Sequence, residues 1–216
     1  MKALASILFA IAIAGAGWFG WTKYQGNQES SVAANATRAA ALQMERQLNA
    51  RKEDGITFVE YFKRGSSVIE KLDEEVADLQ TKPWSYRQKD RDLAIEFIDQ
   101  CKAVVRADQA EMRLLLEQST ATDALDVAKK DVDEATSSVA IEFASKRRSR
   151  ASEDLIQVLD KLIENAKQNK PKIEKMIATD DAVKSRFGKD AGLSEATSLK
   201  LKHYIASEKD AQPKDG

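Results

Sequence analysis

Apolar residues along most of this chain recur at alternating spacings of four and three, the period of one helix face rather than of a strand. Phe58, Phe62, Gly65, Ile69, Leu72, Val76 and Leu79 make one such seam. Ala94, Ile98, Cys101, Val105, Asp108, Met112 and Leu115 make a second, widened by Leu93, Phe97 and Val104. A third runs through Leu125, Ala128, Val132, Ala135 and Val139, is interrupted at Glu142 and the basic run Lys146 to Arg150, and resumes with Leu155, Leu159, Leu162 and Ala166. A thinner stripe of Ala33, Ala36, Ala40, Met44 and Leu48 precedes them, and Ile173, Met176 and Ile177, then Leu199, Leu201 and Ile205, mark shorter helices. Short connections make consecutive helices antiparallel. The pattern predicts an all-α protein: an N-terminal transmembrane helix, an antiparallel bundle of about four long helices, and short C-terminal helices.

Turn chemistry proposes the boundaries. Gly26-Asn27 is the first break, and Gly55 suits the left-handed position after a helix. Gly65-Ser66-Ser67 marks a kink or a close approach within its helix. Lys82-Pro83-Trp84 turns the chain, and Ser85 to Gln88 has the form of a capping box, as does Thr120 to Asp123, which predicts a reversal at residues 118–121. Ser152-Glu153-Asp154 resembles a further helix start, although one uninterrupted helix over residues 122–169 fits the lack of Gly and Pro equally. Pro171 suits a first turn, Gly188 and Gly192 bracket a loop, and Ser194-Glu195 opens the last helix. The expected organisation is an anchor over residues 1–25, a stalk or first bundle helix over 26–54, the bundle over 55–206 and a disordered tail over 207–216.

The first segment differs in kind. From Ala3 to Trp21 no residue is charged, and as a helix this stretch is about 28 Å long, near the hydrocarbon thickness of a bilayer. Trp18, Phe19, Trp21 and Tyr24 gather at its far end, where amphipathic rings favour the headgroup layer, making these four the membrane-interface residues. Lys2 places the N-terminus on the cytoplasmic side and the rest of a single-pass protein in the periplasm or its equivalent. A cleaved signal peptide is the alternative, since Ala12-Ile13-Ala14 and Ala14-Gly15-Ala16 both offer small-x-small sites. Against it, cleavage there would leave Trp18, Phe19 and Trp21 in water.

Composition narrows the function classes. The 34 basic and 35 acidic side chains nearly cancel, so no broad field gathers nucleic acid, and none is expected as a partner. One cysteine and one histidine, Cys101 and His203, supply neither a disulfide framework nor a zinc site. Glycine-rich phosphate loops, nucleophile elbows and histidine-acid constellations are missing, so the sequence predicts no catalytic, metal or cofactor-binding residues. Acidic runs such as Asp73-Glu74-Glu75 point in several directions on a helix and read as solvated faces. The Lys146 to Arg150 cluster lacks interleaved aromatics and reads as exposed surface. Trp84 is expected to close an end of the bundle.

Asp108 is the one candidate ligand or specificity residue. It lies on the second seam, where a carboxylate needs a partner or a raised pKa unless the helix turns it to the rim, the placement expected here. The leading expectation is a membrane-tethered, non-enzymatic bundle that contacts lipid through its N-terminal helix and binds an envelope protein or itself. A sensor of small molecules or ions near Asp108, and a secreted helical protein after signal cleavage, are the alternatives. An exposed apolar strip would favour protein contact, and a polar cavity the sensor.

Overall fold

The computed structural model describes the backbone of residues 2–210 and the side chains of Trp18 and of residues 20–206. The regular elements are all helical, as expected: α1 (Lys2–Ala50), α2 (Phe58–Thr81), α3 (Gln88–Glu134), α4 (Ser138–Phe187) and α5 (Glu195–Asp210), with a 3-10 turn at Lys189–Ala191. Two compact units divide the chain. The first comprises the chain up to Lys102 and from Lys175 onward; the second comprises Ala103 to Glu174.

In the first unit the thin alanine stripe of α1 is buried from Ala33 to Met44, and Leu48 is half-buried. Ala33, Ala40 and Met44 are 0% exposed, and Thr37 and Gln47 join them. Small side chains let neighbouring backbone approach closely, and Gln47 donates from Nε2 to the carbonyl of Tyr61 at 3.2 Å. No break occurs at Gly26-Asn27, because α1 continues through it; Gly26 is buried instead, and a β-carbon there would lie 3.2 Å from Nε of Arg87. Gly55 does adopt the left-handed conformation, at φ 81°.

α2 keeps the predicted seam from Gly65 through Leu72 to Leu79 and departs from it in the first turn, where Tyr61 takes the buried place expected of Phe58. Tyr61, Gly65, Leu72 and Leu79 are buried, while Phe58 and Val59 are exposed. Thr57 starts the helix with a reciprocal box: its hydroxyl accepts the Glu60 amide at 3.2 Å and Glu60 accepts the Thr57 amide at 3.1 Å. That arrangement holds the carboxyl of Glu60 below its usual value through the backbone and hydroxyl bonds of Thr57. Trp84 closes the end of α2, its indole N–H donating to the Leu79 carbonyl at 2.8 Å.

Ala94, Phe97, Ile98 and Cys101 of α3 complete this core with Met176 and Val183 of α4, Leu193 and Leu201. The helix formed by Glu195 onward starts where Ser194 predicts, with Ser194 Oγ accepting the Thr197 amide at 3.3 Å. Leu199, placed on the apolar face of α5 by the sequence pattern, is 52% exposed. Of the expected disordered tail, α5 takes residues 207–210 into a helix, and residues 211–216 lie outside the described residues.

The second unit is a helical hairpin. The expected reversal at residues 118–121 does not occur, since α3 runs on to Glu134; nor does one helix span residues 122–169. Thr120 and Thr122 donate their hydroxyls back to the carbonyls of Leu116 and Gln118, at 3.0 and 2.9 Å, satisfying themselves inside the helix instead of capping a new one. The chain turns at Ala135 to Ser137, and Ser137 Oγ accepts the Ala140 amide at 3.2 Å to start α4. From there α4 is continuous through Ser152 and through Pro171 to Phe187, so neither begins a helix. Proline costs the helix one backbone donor.

Candidate interaction surface

Three carboxylates organise the polar side of the first unit. Glu29 of α1 accepts the amides of Ser85, Tyr86 and Arg87 at 2.9, 3.0 and 2.7 Å. It thereby supplies from another element the N-terminal cap of α3 that Ser85 and Gln88 were expected to provide; Gln88 donates instead to the Trp84 carbonyl. Asp90, 3% exposed, takes a bidentate pair from Arg186 at 2.6 and 2.7 Å and the hydroxyl of Ser30. Burial alone would raise its pKa, but the Arg186 and Ser30 bonds outweigh it and hold the carboxyl below its ordinary value.

Asp180 is the third, 2% exposed. Its carboxylate accepts the Leu193 amide at 2.7 Å, Lys184 Nζ at 2.7 Å and Ser198 Oγ at 3.0 Å. A β-carbon on Gly192 would overlap Oδ1 of Asp180, so glycine is required there by close approach. A cleft of about 970 Å3 opens beside this loop, with Arg38, Glu45, Lys184, Asp190 and Lys202 among its lining. Its charges of both signs are largely spent on structure: Arg38 donates to the Asp190 carbonyl and Glu45 accepts the Ser194 amide. Cys101 is fully buried, and burial, with the charges of Asp180 and Glu45, pushes its thiol well above the usual value, which suits a packing side chain.

The hairpin shows a different surface. Its inner seam on α4 passes through Ala144, Ala151, Leu155, Val158, Leu162 and Asn169, all buried or half-buried. Beside it runs a second apolar stripe. Ile156, Leu159 and Ile163 are 55%, 38% and 55% exposed, and Ala166 continues the four-three spacing. Near the turn, Val127, Val139, Ile141 and Phe143 are exposed as well. A shallow cleft of about 460 Å3, lined by Leu116, Thr120, Ala121, Ala124, Ala151 and Val158 among others, lies between α3 and α4.

The sequence pattern identifies Leu155, Leu159 and Leu162 but treats them as one face. The signal for the second face is the doublets Leu155-Ile156 and Leu162-Ile163: adjacent helical residues point about 100° apart and cannot serve one partner. The basic run Lys146 to Arg150 is helix surface, with Lys146 paired to Glu142 at 2.7 Å and Arg147 to Asp131 at 3.1 Å.

Asp108 is 6% exposed, so it stays on the seam and is not turned to the rim; it is not among the residues lining the clefts described above. Trp18, Trp21 and Tyr24 are all more than half exposed, and the rings of Trp21 and Tyr24 lie 6.3 Å apart; the Phe19 side chain lies outside the described residues. Among the described residues no helix is long and apolar enough to cross a membrane, so the structure does not support the expected single-pass span. Most of the segment that suggested it, from Ala3 through Gly17, lies outside the described side chains. The chain matches no family model, no curated protein and no solved structure.

Proposed function

We propose that this protein is a non-enzymatic helical interaction module, tethered to a membrane by its first segment, that binds an envelope protein or a further copy of itself through the hairpin formed by α3 and α4. The observation that carries this reading is the stripe Ile156, Leu159 and Ile163. Large aliphatic side chains lined up along one helix face and left in water mark a surface that gains by being covered, at roughly 25 cal/mol for each Å2 of apolar area. The exposed rings of Trp18, Trp21 and Tyr24 support the tether, since clustered aromatics are favourable where lipid headgroups meet hydrocarbon.

Two measurements test the two halves. The tether predicts that the protein sediments with membranes, resists alkaline extraction and keeps Met1 to Trp21 in its intact mass; a mature chain starting near Gly15 or Gly17 would replace it with a secreted protein. The module predicts that Ile156→Asp with Ile163→Asp removes partner capture by the full-length chain while its thermal melt is unchanged. Capture equal to wild type would remove the hairpin stripe from the account. A sensor built on Asp108 requires a ligand-induced gain in melting temperature that Asp108→Asn abolishes.

A further inference from the structure

We infer that the end of the first unit holding the α2–α3 turn takes the phosphate of an anionic phospholipid headgroup, in a cleft lined by Tyr86, Arg87, Lys89 and Arg186 beside α1. This rests on the reading of the first segment as a membrane tether and names a second contact with the same lipid surface. The cleft, of about 610 Å3, opens at the start of α3, with Gln88 and Asp90 also in its lining. Asp90 is its one carboxylate, and that charge is already met by Arg186 at 2.6 and 2.7 Å. Arg87 and Lys89 are exposed and make no ion pair among the described residues, whereas Lys82 and Arg91 on either side are paired to Asp78 and Asp92. Glu29, the other carboxylate at this end, turns its oxygens to the amides of residues 85–87. The amides at the start of α3 are thereby satisfied, and the charge left for a ligand is that of the Arg87 and Lys89 side chains.

The height of the cleft along α1 is what selects a lipid. A β-carbon on Gly26 would lie 3.2 Å from Nε of Arg87, and Ser30 donates to Asp90, so the cleft lies at the level of residues 26–30 of a helix that is continuous from Lys2 to Ala50. At the rise of an α-helix Gly26 is about 8 Å beyond Trp21, where the uncharged run ends. The headgroup layer on each side of a bilayer is itself about 5–8 Å deep. A tether whose hydrocarbon path ends at Trp21 therefore brings Arg87 to the outer edge of that layer, with the exposed Lys23 nearly a turn below. Tyr86 adds a ring, 41% exposed, of the kind that Trp21 and Tyr24 present there. Basic side chains at that depth meet phosphate oxygens, which bind guanidinium and ammonium groups through charge-assisted hydrogen bonds.

The experiment reconstitutes the full-length chain in vesicles of phosphatidylcholine alone and of phosphatidylcholine mixed with phosphatidylglycerol, and follows thermal melting by circular dichroism. Wild type should melt a few degrees higher in the anionic vesicles, because a ligand held only by the folded chain stabilises it, and the rise should shrink as salt is added. Arg87→Gln with Lys89→Gln should lose the rise, and Lys89→Gln alone, which leaves Arg87 against Gly26, should lose part of it. Arg148→Gln with Arg150→Gln, which removes the same net charge from the second unit, should keep the rise in full. The rise is read within each variant, so a change in basal stability does not imitate its loss.

Equal melting of wild type in the two vesicles overturns the inference and leaves the tether standing, as does a rise that survives the Arg87 and Lys89 changes. A rise lost equally in the Arg148 and Arg150 variant assigns it to overall charge and overturns the cleft. Inorganic phosphate added to the chain in phosphatidylcholine vesicles should leave the melt unchanged; a rise there equal to that with phosphatidylglycerol makes free phosphate the occupant and removes the lipid. A chain that leaves both vesicles on alkaline washing overturns the tether itself, and with it this contact.

Discussion

A carboxylate as buried as Asp90 must keep its charge against its own desolvation, and it does so through the paired nitrogens of Arg186 and the hydroxyl of Ser30. Its pKa is lowered by folding, so ionised Asp90 contributes stability that is fully present above the unfolded carboxyl value of about 3.9 and is lost as pH falls through the folded value. Asp90→Asn should therefore cost about 1–2 kcal/mol at neutral pH, a figure kept low because the Arg186 side chain is 44% exposed and screened. In urea titrations the gap between variant and wild type should close on going from pH 7 to pH 3; a gap independent of pH would mean that the pair contributes shape and not charge. The contact joins residues 96 apart, and nothing in the local sequence signals it. At the same scale Phe58 is a local misassignment: Phe58-Val59 and Tyr61-Phe62 offer two apolar faces in the first turns of α2, and Tyr61 is the residue buried there, while Gly65, Leu72 and Leu79 hold the expected positions.

Helix ends decide the elements, and they were the least legible feature of the chain. Thr120 to Asp123 has the residue types of a cap, but a cap requires a residue outside helical geometry, and nothing before Thr120 stops α3: no Gly or Pro stands between Pro83 and Asp123. The true turn, Ala135 to Ser137, carries its own signal in Thr136-Ser137-Ser138, which the apolar stripe through Ala135 and Val139 obscured. The opposite error occurs at Pro171, which α4 absorbs. Because Thr120 and Thr122 are mid-helix and exposed, replacing both with alanine should raise stability, by up to about 0.5 kcal/mol each, through higher helix propensity. Had they capped a helix, the same change would cost about 1 kcal/mol. The sign of the shift in a urea midpoint distinguishes the two. Ser137→Ala, by contrast, should destabilise by the amount of a lost cap.

For the whole molecule, periodicity was enough to identify an all-helical chain because nearly every core position follows the four-three spacing, from Ala33 on α1 to Val105 on α3. It could not divide the chain in two, because α3 and α4 each pass through both units without a break in pattern. The first unit has a complete core of its own, built from Met44, Tyr61, Leu72, Phe97, Met176 and Leu193, and its polar contacts at Asp90 and Asp180 use only its own residues. Within this unit Lys175 lies 3.4 Å from Glu96, so α3 and α4 are neighbours there. Replacing residues 103–174 with a short Gly/Ser linker should therefore leave a folded protein. The shortened chain should melt cooperatively, retain the neutral-pH penalty of Asp90→Asn, and distribute between membrane and soluble fractions as the full chain does, while losing partner capture. Circular dichroism melts, fractionation and capture assays of the two chains measure all three. Loss of cooperative melting would show that the first unit needs the hairpin to fold. Capture that survives the excision would move the interaction surface off Ile156, Leu159 and Ile163 and onto the remaining helices.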